Sequence, residues 1–292
     1  MKIVRIIGGL GNQLFQYAVL IALRKRTGDE VKIDLSAMST YGRHNGFELQ
    51  EIFNITASIA TATEVKSLGR FYRNYRQWQI CHHFFPWFKK ELVEWKYTKF
   101  YPELINDADK DRLYDGYWQC PKYFDDAREE ILREYTYKND LDKRNREIAD
   151  KMLNDDKSVS IHIRRGDYLK AKKYAGICDV EYYQQAIKMM KEKLGDNYHA
   201  YIFSNDMEWC KKNIFPMLDG NNVMFVDWNI KADSYKDMCL MSMCRTNIIA
   251  ASSFSWWGAY LNQRKDQIVI APKKWINLDL EYEIQMPKWI KV

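Results

Sequence analysis

The residues best suited to chemistry form the run His162-Ile163-Arg164-Arg165-Gly166-Asp167-Tyr168. Two adjacent arginines at the end of an apolar alternation can give paired N–H donors to phosphate oxygens, a geometry lysine does not reproduce. Gly166 permits a sharp turn, and Asp167 can either hold an arginine in place or take a proton. Two further polar clusters also follow apolar runs. Ser204-Asn205-Asp206 closes the run Ala200 to Phe203, and Ser252-Ser253-Phe254-Ser255-Trp256-Trp257-Gly258 closes Asn247 to Ala251. Hydroxyls and free N–H groups at a helix start make an anion site, and Asp206 could accept the paired donors of a guanine edge. Each cluster alone has a plainer reading: surface arginines beside a turn, Ser255 as a helix cap, Trp256 and Trp257 as core. Three of them at strand ends of one sheet favour a ligand bearing phosphate.

A fourth cluster, Gly8-Gly9-Leu10-Gly11-Asn12-Gln13, lies between an apolar run and a stretch of helical spacing. It lacks the third glycine and the placed acidic residue of a dinucleotide fingerprint, and no Walker lysine follows. Dehydrogenase and kinase readings lose ground. Asp-x-Asp patterns, a common metal–diphosphate handle, occur at Asp107/Asp109/Asp111 and Asp140/Asp142. No strand precedes either, so both read as solvated faces. Cys81-His82-His83 fails as a metal site, because adjacent histidines point to different sides of an element and no third ligand is suitably spaced. Neither a metal nor another cofactor is expected. Arg70 to Tyr101 mixes cations with many aromatics. Packing is its first reading, with acceptor-sugar binding and contact with a membrane surface as the others.

The elements that must position these residues can be read in outline. Lys2 to Ile7 suits a buried strand, Leu14 to Leu23 a helix with Gly28 at its C-cap, and Val31 to Leu35 a second strand. The middle, roughly 56–155, looks helical, charged and aromatic, and gives no topology. A polar break at Asn154 to Ser158 suggests a boundary. Beyond it strands (159–163, 200–203, 223–226, 247–251, 268–270) alternate with helices (182–194, 234–245, 255–262), the rhythm of a doubly wound parallel sheet. Two such domains, with the site in a cleft between them, follow.

Composition bounds the rest. At 292 residues, 47% of them hydrophobic, the chain can build two cores. Its net charge of +6 fits one local anion site rather than the dense cationic face of a nucleic-acid binder. Six cysteines without a CxxC pair read as reduced thiols of a cytosolic protein. Ile3 to Leu23 is apolar but broken by glycines and amides, so neither a signal peptide nor an anchor is expected there. A lectin would account for the 15% aromatic content but has no need for paired arginines at a strand end.

Together the four clusters resemble the α-1,2-fucosyltransferase family of bacteria and animals, glycosyltransferase family 11. The matching stretches are Gly8 to Tyr17, His162 to Tyr168, Ile202 to Asp206 and Ser253 to Gly258. Gly116-Tyr117-Trp118-Gln119 with Lys122-Tyr123-Phe124 looks like a further family element. The similarity runs in order from residue 1 to about residue 272. It implies an α/β fold of the GT-B type, with two Rossmann-like domains facing a cleft. Residues 1–155 would form the acceptor side and 156–292 the GDP-fucose side, the last segment free to pack back on the first domain. The implied reaction is an inverting, metal-independent transfer of L-fucose from GDP-β-L-fucose to the 2-hydroxyl of a terminal galactose, in an oligosaccharide or lipid-linked glycan. Fucosyltransferases of α-1,6 or protein O-linked type are the neighbouring alternatives. By position, Arg165 and Arg164 would hold the diphosphate, His162 would line the nucleotide pocket, and Asp206 would face guanine, with Ser204 among the substrate-binding residues. Ser253, Phe254 and Ser255 would hold phosphate, with Trp256 also among the substrate-binding residues. Asn12 would sit near the reacting centre with Gly9, Gly11 and Gln13 beside it, and Asp167 is the candidate catalytic carboxylate. Gly9 departs from the many relatives that carry arginine there. The resemblance implies a bacterial enzyme of the cytoplasm, peripheral to the inner membrane where its acceptor is lipid-linked, with no nucleic-acid partner.

Overall fold

The apolar runs at both ends of the chain become two parallel sheets, each in its own compact unit. The computed structural model describes residues 1–39, 41–42, 45–84, 88–94, 100–218, 222–278 and 283–292. One unit comprises Met1–Asp140 with Glu281–Ile284, the other Leu141–Leu280 with Gln285–Val292.

In the first unit β1 (Lys2–Arg5), α1 (Leu10–Thr27) and β2 (Val31–Asp34) form the expected βαβ opening. α2 (Leu49–Ile52), α3 (Ala62–Leu68), α4 (Tyr75–Phe84), β3 (Glu91–Val93), α5 (Glu103–Asn106), β4 (Arg112–Asp115) and α6 (Arg128–Glu134) follow. The strands are all parallel, in the order β2-β1-β4-β3. Gly28 ends α1 in the left-handed region (φ 69°) and donates its N–H to the Arg24 carbonyl at 2.9 Å. Glycine takes that conformation without a Cβ penalty. The sheet's C-terminal edge holds a buried ion cluster that sequence reading missed. The Arg5 guanidinium, fully buried, donates to Asp34 at 2.7 Å and to Asp115 at 2.5 Å, and lies 4.3 Å from the Tyr72 ring centre. Trp78 Nε1 donates to the other Asp115 oxygen at 2.8 Å. Arg5, Asp34 and Asp115 end β1, β2 and β4, so the cluster clamps the three strand ends from which loops depart. Removing one partner of such a buried set costs about 3–5 kcal/mol, because the other charge is stranded.

The second unit begins with α7 (Lys143–Leu153) and β5 (Ser158–Ile163). α8 (Gly166–Lys170), α9 (Val180–Leu194), β6 (His199–Ser204), α10 (Met207–Asn213) and β7 (Val223–Val226) carry the chain to one side. α11 (Tyr235–Met241), β8 (Thr246–Ile248), α12 (Ser253–Tyr260), β9 (Ile268–Ala271) and β10 (Ile290–Lys291) carry it to the other. The parallel order is β10-β9-β8-β5-β6-β7. The winding therefore reverses between β5 and β8, the place where open α/β sheets bind ligands beyond their strand ends. The core beneath is built from Val159, Ile161 and Ile163 of β5 against Tyr183, Ala186 and Ile187 of α9 and Ile202 of β6.

The compact units divide at Asp140/Leu141 rather than at the polar break near residue 155. The reason is α7, which is fastened to the second unit. Its Asn145 exchanges amide hydrogen bonds with Asn229 at 2.9 Å, and its cap Asp142 pairs with Lys236 at 3.0 Å. Strand Asn247 to Ala251 also ends early, at Ile248, because Ala250 and Ala251 turn into the loop that opens α12 two residues before the expected Ser255.

Candidate active site

The second unit brings three of the sequence clusters to the point where its sheet reverses. β5 ends at Ile163, and Arg164 and Arg165 follow directly. Arg165 is fixed on three sides. Its backbone N–H donates to Asn205 Oδ1 at 2.9 Å, its Nε to Asp206 Oδ2 at 3.2 Å, and its guanidinium carbon lies 4.0 Å from the Trp209 ring centre. Among the described residues nothing else bonds its Nη groups, so a two-pronged donor stands braced and unspent. Such preorganised charge needs no rearrangement when negative charge develops beside it. Arg164 stacks at 5.5 Å from the Tyr168 ring centre. Gly166 has φ 27°, and a Cβ there would stand 2.5 Å from Asn205 Nδ2. Glycine is thus required both by conformation and by the approach of Asn205.

Beside the arginines, α12 presents the N–H groups of Ser253, Phe254 and Ser255, which have no acceptor a turn earlier. The His162 ring lies 5.8 Å from that of Phe254, and its Nδ1 has no partner among the described residues. Burial, and next the Arg164 charge, push the imidazole down to about 3, so it is neutral. A neutral imidazole with an open nitrogen can bond a ligand's polar edge without adding charge. A pocket of about 180 Å³ lies here, lined by Arg164, Arg165, Tyr168, Cys178, Ala250 and Ala251 among others.

Some expected ligand contacts are spent inside the protein. Asp206 caps α10, with Oδ1 accepting the Trp209 N–H at 3.2 Å, and its Oδ2 holds Arg165. Its carboxylate is therefore a brace, the task sequence reading offered to Asp167. The Asp167 side chain lies outside the described residues. Ser204 Oγ accepts the Asp206 N–H at 2.9 Å. Ser255 donates its buried hydroxyl to Ala250 O at 3.1 Å, leaving only its N–H for an anion. Trp256 is fully buried and stacks on Tyr260 at 4.8 Å, so it packs behind the site instead of facing a ligand.

The first unit holds the glycine loop where the β1–β2 half of its sheet meets the β3–β4 half. Gly8 has φ 91°, and Gly9 caps α1 with extended backbone. Gly11 is buried inside α1. Gln13, expected at the substrate, is instead a strut. It is fully buried, its Nε2 donates to Gly8 O at 2.9 Å and Gly46 O at 2.7 Å, and its Oε1 accepts from the Glu48 N–H at 3.0 Å. Asn12 is half-buried, with its Oδ1 accepting from Gln119 Nε2 at 2.7 Å. Asn205, Trp209 and Gln119 are the site residues sequence reading left unassigned. Asn205 and Gln119 sat inside quoted stretches, but only the fold shows which side chains they meet. Of the Asp-x-Asp residues, Asp107 pairs with Lys110 and Arg112 at 2.9 and 2.7 Å and Asp142 caps α7. Among the described residues no group of three or more His, Cys, Asp or Glu is placed to hold a metal ion.

The sequence model described as Glycosyl transferase family 11 matches residues 1–292. An alpha-1,2-colitosyltransferase of Escherichia coli is 33% identical, over 99% of this chain and 98% of its own length. Galactoside alpha-(1,2)-fucosyltransferase 2 of Pongo pygmaeus is 29% identical, over 87% of this chain and 67% of its own. Among solved structures, NodZ alpha-1,6-fucosyltransferase soaked with GDP-fucose superposes with a TM-score of 0.51, covering 89% of this chain and 91% of that one. At 16% identity that likeness speaks for the fold, which is of the GT-B type. With the family pattern spanning every residue, the chain belongs to glycosyl transferase family 11 and is a glycosyltransferase.

Proposed function

We propose that this glycosyltransferase moves L-fucose from GDP-β-L-fucose to the 2-hydroxyl of a terminal galactose, with inversion, releasing GDP. The observation that carries it is Arg165, braced by Asp206 and Trp209 with its Nη donors unspent among the described residues, at the reversal point of the second unit's sheet. In this reading the second unit binds the nucleotide sugar and the first serves the acceptor. The acceptor oxygen forms its bond to the anomeric carbon as the carbon–phosphate oxygen bond breaks. The electron pair leaves with GDP, and the hydroxyl proton passes to a base or water. Arg165, Arg164 and the N–H groups opening α12 stabilise the departing diphosphate. In this reading those fixed charges do the work of a cation, so activity should survive excess EDTA. Silencing by chelation and rescue by Mg²⁺ or Mn²⁺ would overturn that part.

A second donor is favoured by one observation, the likeness to a colitosyltransferase over nearly the full length. Colitose is the 3-deoxy analogue of L-fucose, so the two donors differ by one hydroxyl. The acceptor would be a galactose-ended oligosaccharide or lipid-linked glycan, met in the cytoplasm or at the inner membrane. No described helix is long and apolar enough to cross a membrane. The test is incubation with GDP-fucose or GDP-colitose and lactose, followed by linkage analysis. An α-1,2-linked fucosyl product supports the reading. A colitosyl product alone replaces the donor, and another linkage replaces the acceptor assignment.

A further inference from the structure

The first unit contains a chain of contacts that ends on Asn12 and links it to the Gly116 to Gln119 stretch. It begins at Glu94, just after β3, buried and accepting on one oxygen the backbone N–H groups of Tyr117 at 2.6 Å and Trp118 at 2.9 Å. Those bonds hold the loop that leaves β4. In it, Gly116 is pressed so closely that an added Cβ would meet Glu94 Cβ at 2.4 Å, and Trp118 is forced into the left-handed region at φ 53°. A bulky non-glycine residue with positive φ persists only where its surroundings over-determine it. Here they do: Trp118 is fully buried among Tyr101, Tyr114 and Tyr123, and Gln16 of α1 donates to the Gly116 carbonyl at 3.0 Å. The next residue, Gln119, gives its Nε2–H to Asn12 Oδ1 at 2.7 Å.

We infer that Gln119, set by the Glu94-held turn, is a positioning residue that locks the Asn12 amide with its Nδ2 donors as the face offered to substrate. This rests on the reading that Asn12 touches substrate. An amide has one acceptor end and one donor end. With Gln119 donating to Oδ1 and so fixing the amide plane, Asn12 turns its Nδ2–H donors toward an oxygen, such as a hydroxyl or ring oxygen of the transferred sugar or the acceptor. It cannot take the acceptor's proton. Gly8 serves the same end, because a Cβ there would stand 2.7 Å from Asn12 Nδ2.

The test is Gln119→Glu, which keeps the shape but can only accept, so the Asn12 amide must turn its oxygen outward. Misplacing one substrate contact typically costs on the order of a hundredfold. The expected loss in kcat is therefore roughly ten- to hundredfold, with GDP affinity by calorimetry within about twofold of wild type. In an Asn12→Ala background the same change should cost nothing more, since the effect passes through Asn12. Wild-type kcat in Gln119→Glu, or an undiminished further loss without Asn12, would overturn the inference. Should Gln119→Glu fold poorly by thermal scan, Gln119→Leu removes the donor without adding charge and should show the same dependence on Asn12. Failure of the functional reading is told apart by the wild-type protein, which would then transfer no sugar. In that event the Asn12 side-chain amide resonances, assigned by their loss in Asn12→Asp, still decide. They should shift in Gln119→Leu, and unmoved resonances would refute the contact.

Discussion

Both units end parallel strands at a junction of two sheet halves, yet the loops that leave those junctions have opposite chemistry. In the second unit the junction between β5 and β8 is cationic, with the braced Arg165, the N–H groups opening α12 and a neutral His162. In the first, the junction between β1 and β4 keeps its charge buried in the Arg5–Asp34–Asp115 cluster. Among the described residues it offers the amides Asn12, Gln13, Gln16 and Gln119, most of them committed to backbone groups. The contrast teaches that one architecture can supply either force or orientation. A departing diphosphate needs charge, whereas a neutral sugar needs directed hydrogen bonds.

The sharpest way to break that contrast is Arg165→Lys. Lysine keeps the charge and loses the fork and the stacking on Trp209, so kcat should fall on the order of 10²–10³. Steady-state assay of the folded variant checks it, and near-normal turnover would show that bulk charge suffices. Smaller is the effect of Asp206→Asn, which keeps an oxygen for the α10 cap but removes the charge behind Arg165. GDP binding should weaken by about 1 kcal/mol, as for loss of one charge-assisted bond, with little change in melting temperature. A calorimetric affinity equal to wild type would free Asp206 from the bracing role.

A third test, on stability rather than turnover, probes the first unit. Burial pushes the Glu94 carboxyl up to about 8 from its ordinary 4.5, with Asp115 adding to the rise and the two backbone N–H groups opposing it. The folded state then keeps a proton that the unfolded chain releases above about pH 4.5, so stability from this group is full below that pH. It is lost as pH rises through about 8. Glu94→Gln mimics the neutral acid and cannot ionise. Its melting temperature should match wild type near pH 5 and exceed it at pH 9. Parallel pH curves for the two proteins would contradict the assignment.

The legibility of the sequence divided along the same line as the chemistry. The second unit could be read because β5 and β6 run six residues each, strands and helices alternate regularly along it, and Arg164-Arg165 and Ser253 to Ser255 follow its strands. The first unit beyond β2 could not, since β3 and β4, three and four residues long, lie among short helices without a regular strand–helix rhythm. Family resemblance pointed to Asn12 and Asp206 but not to what they touch. The Asp206 carboxylate turned out to serve Arg165, Gln13 the loop backbone, and Trp256 the core. The bonds of Asp206 to Arg165 and of Gln13 to Gly46 and Glu48 join residues tens of positions apart, which no local pattern encodes, whereas the core reading of Trp256 was open to the sequence.

The most direct test of the division between the two junctions is a calorimetric titration of GDP into wild type, Arg165→Ala and Asn12→Ala. GDP should bind wild type and Asn12→Ala alike and lose most of its affinity for Arg165→Ala, with turnover lost in both variants. Undiminished GDP binding by Arg165→Ala together with loss in Asn12→Ala would place the nucleotide on the wrong unit and contradict the account.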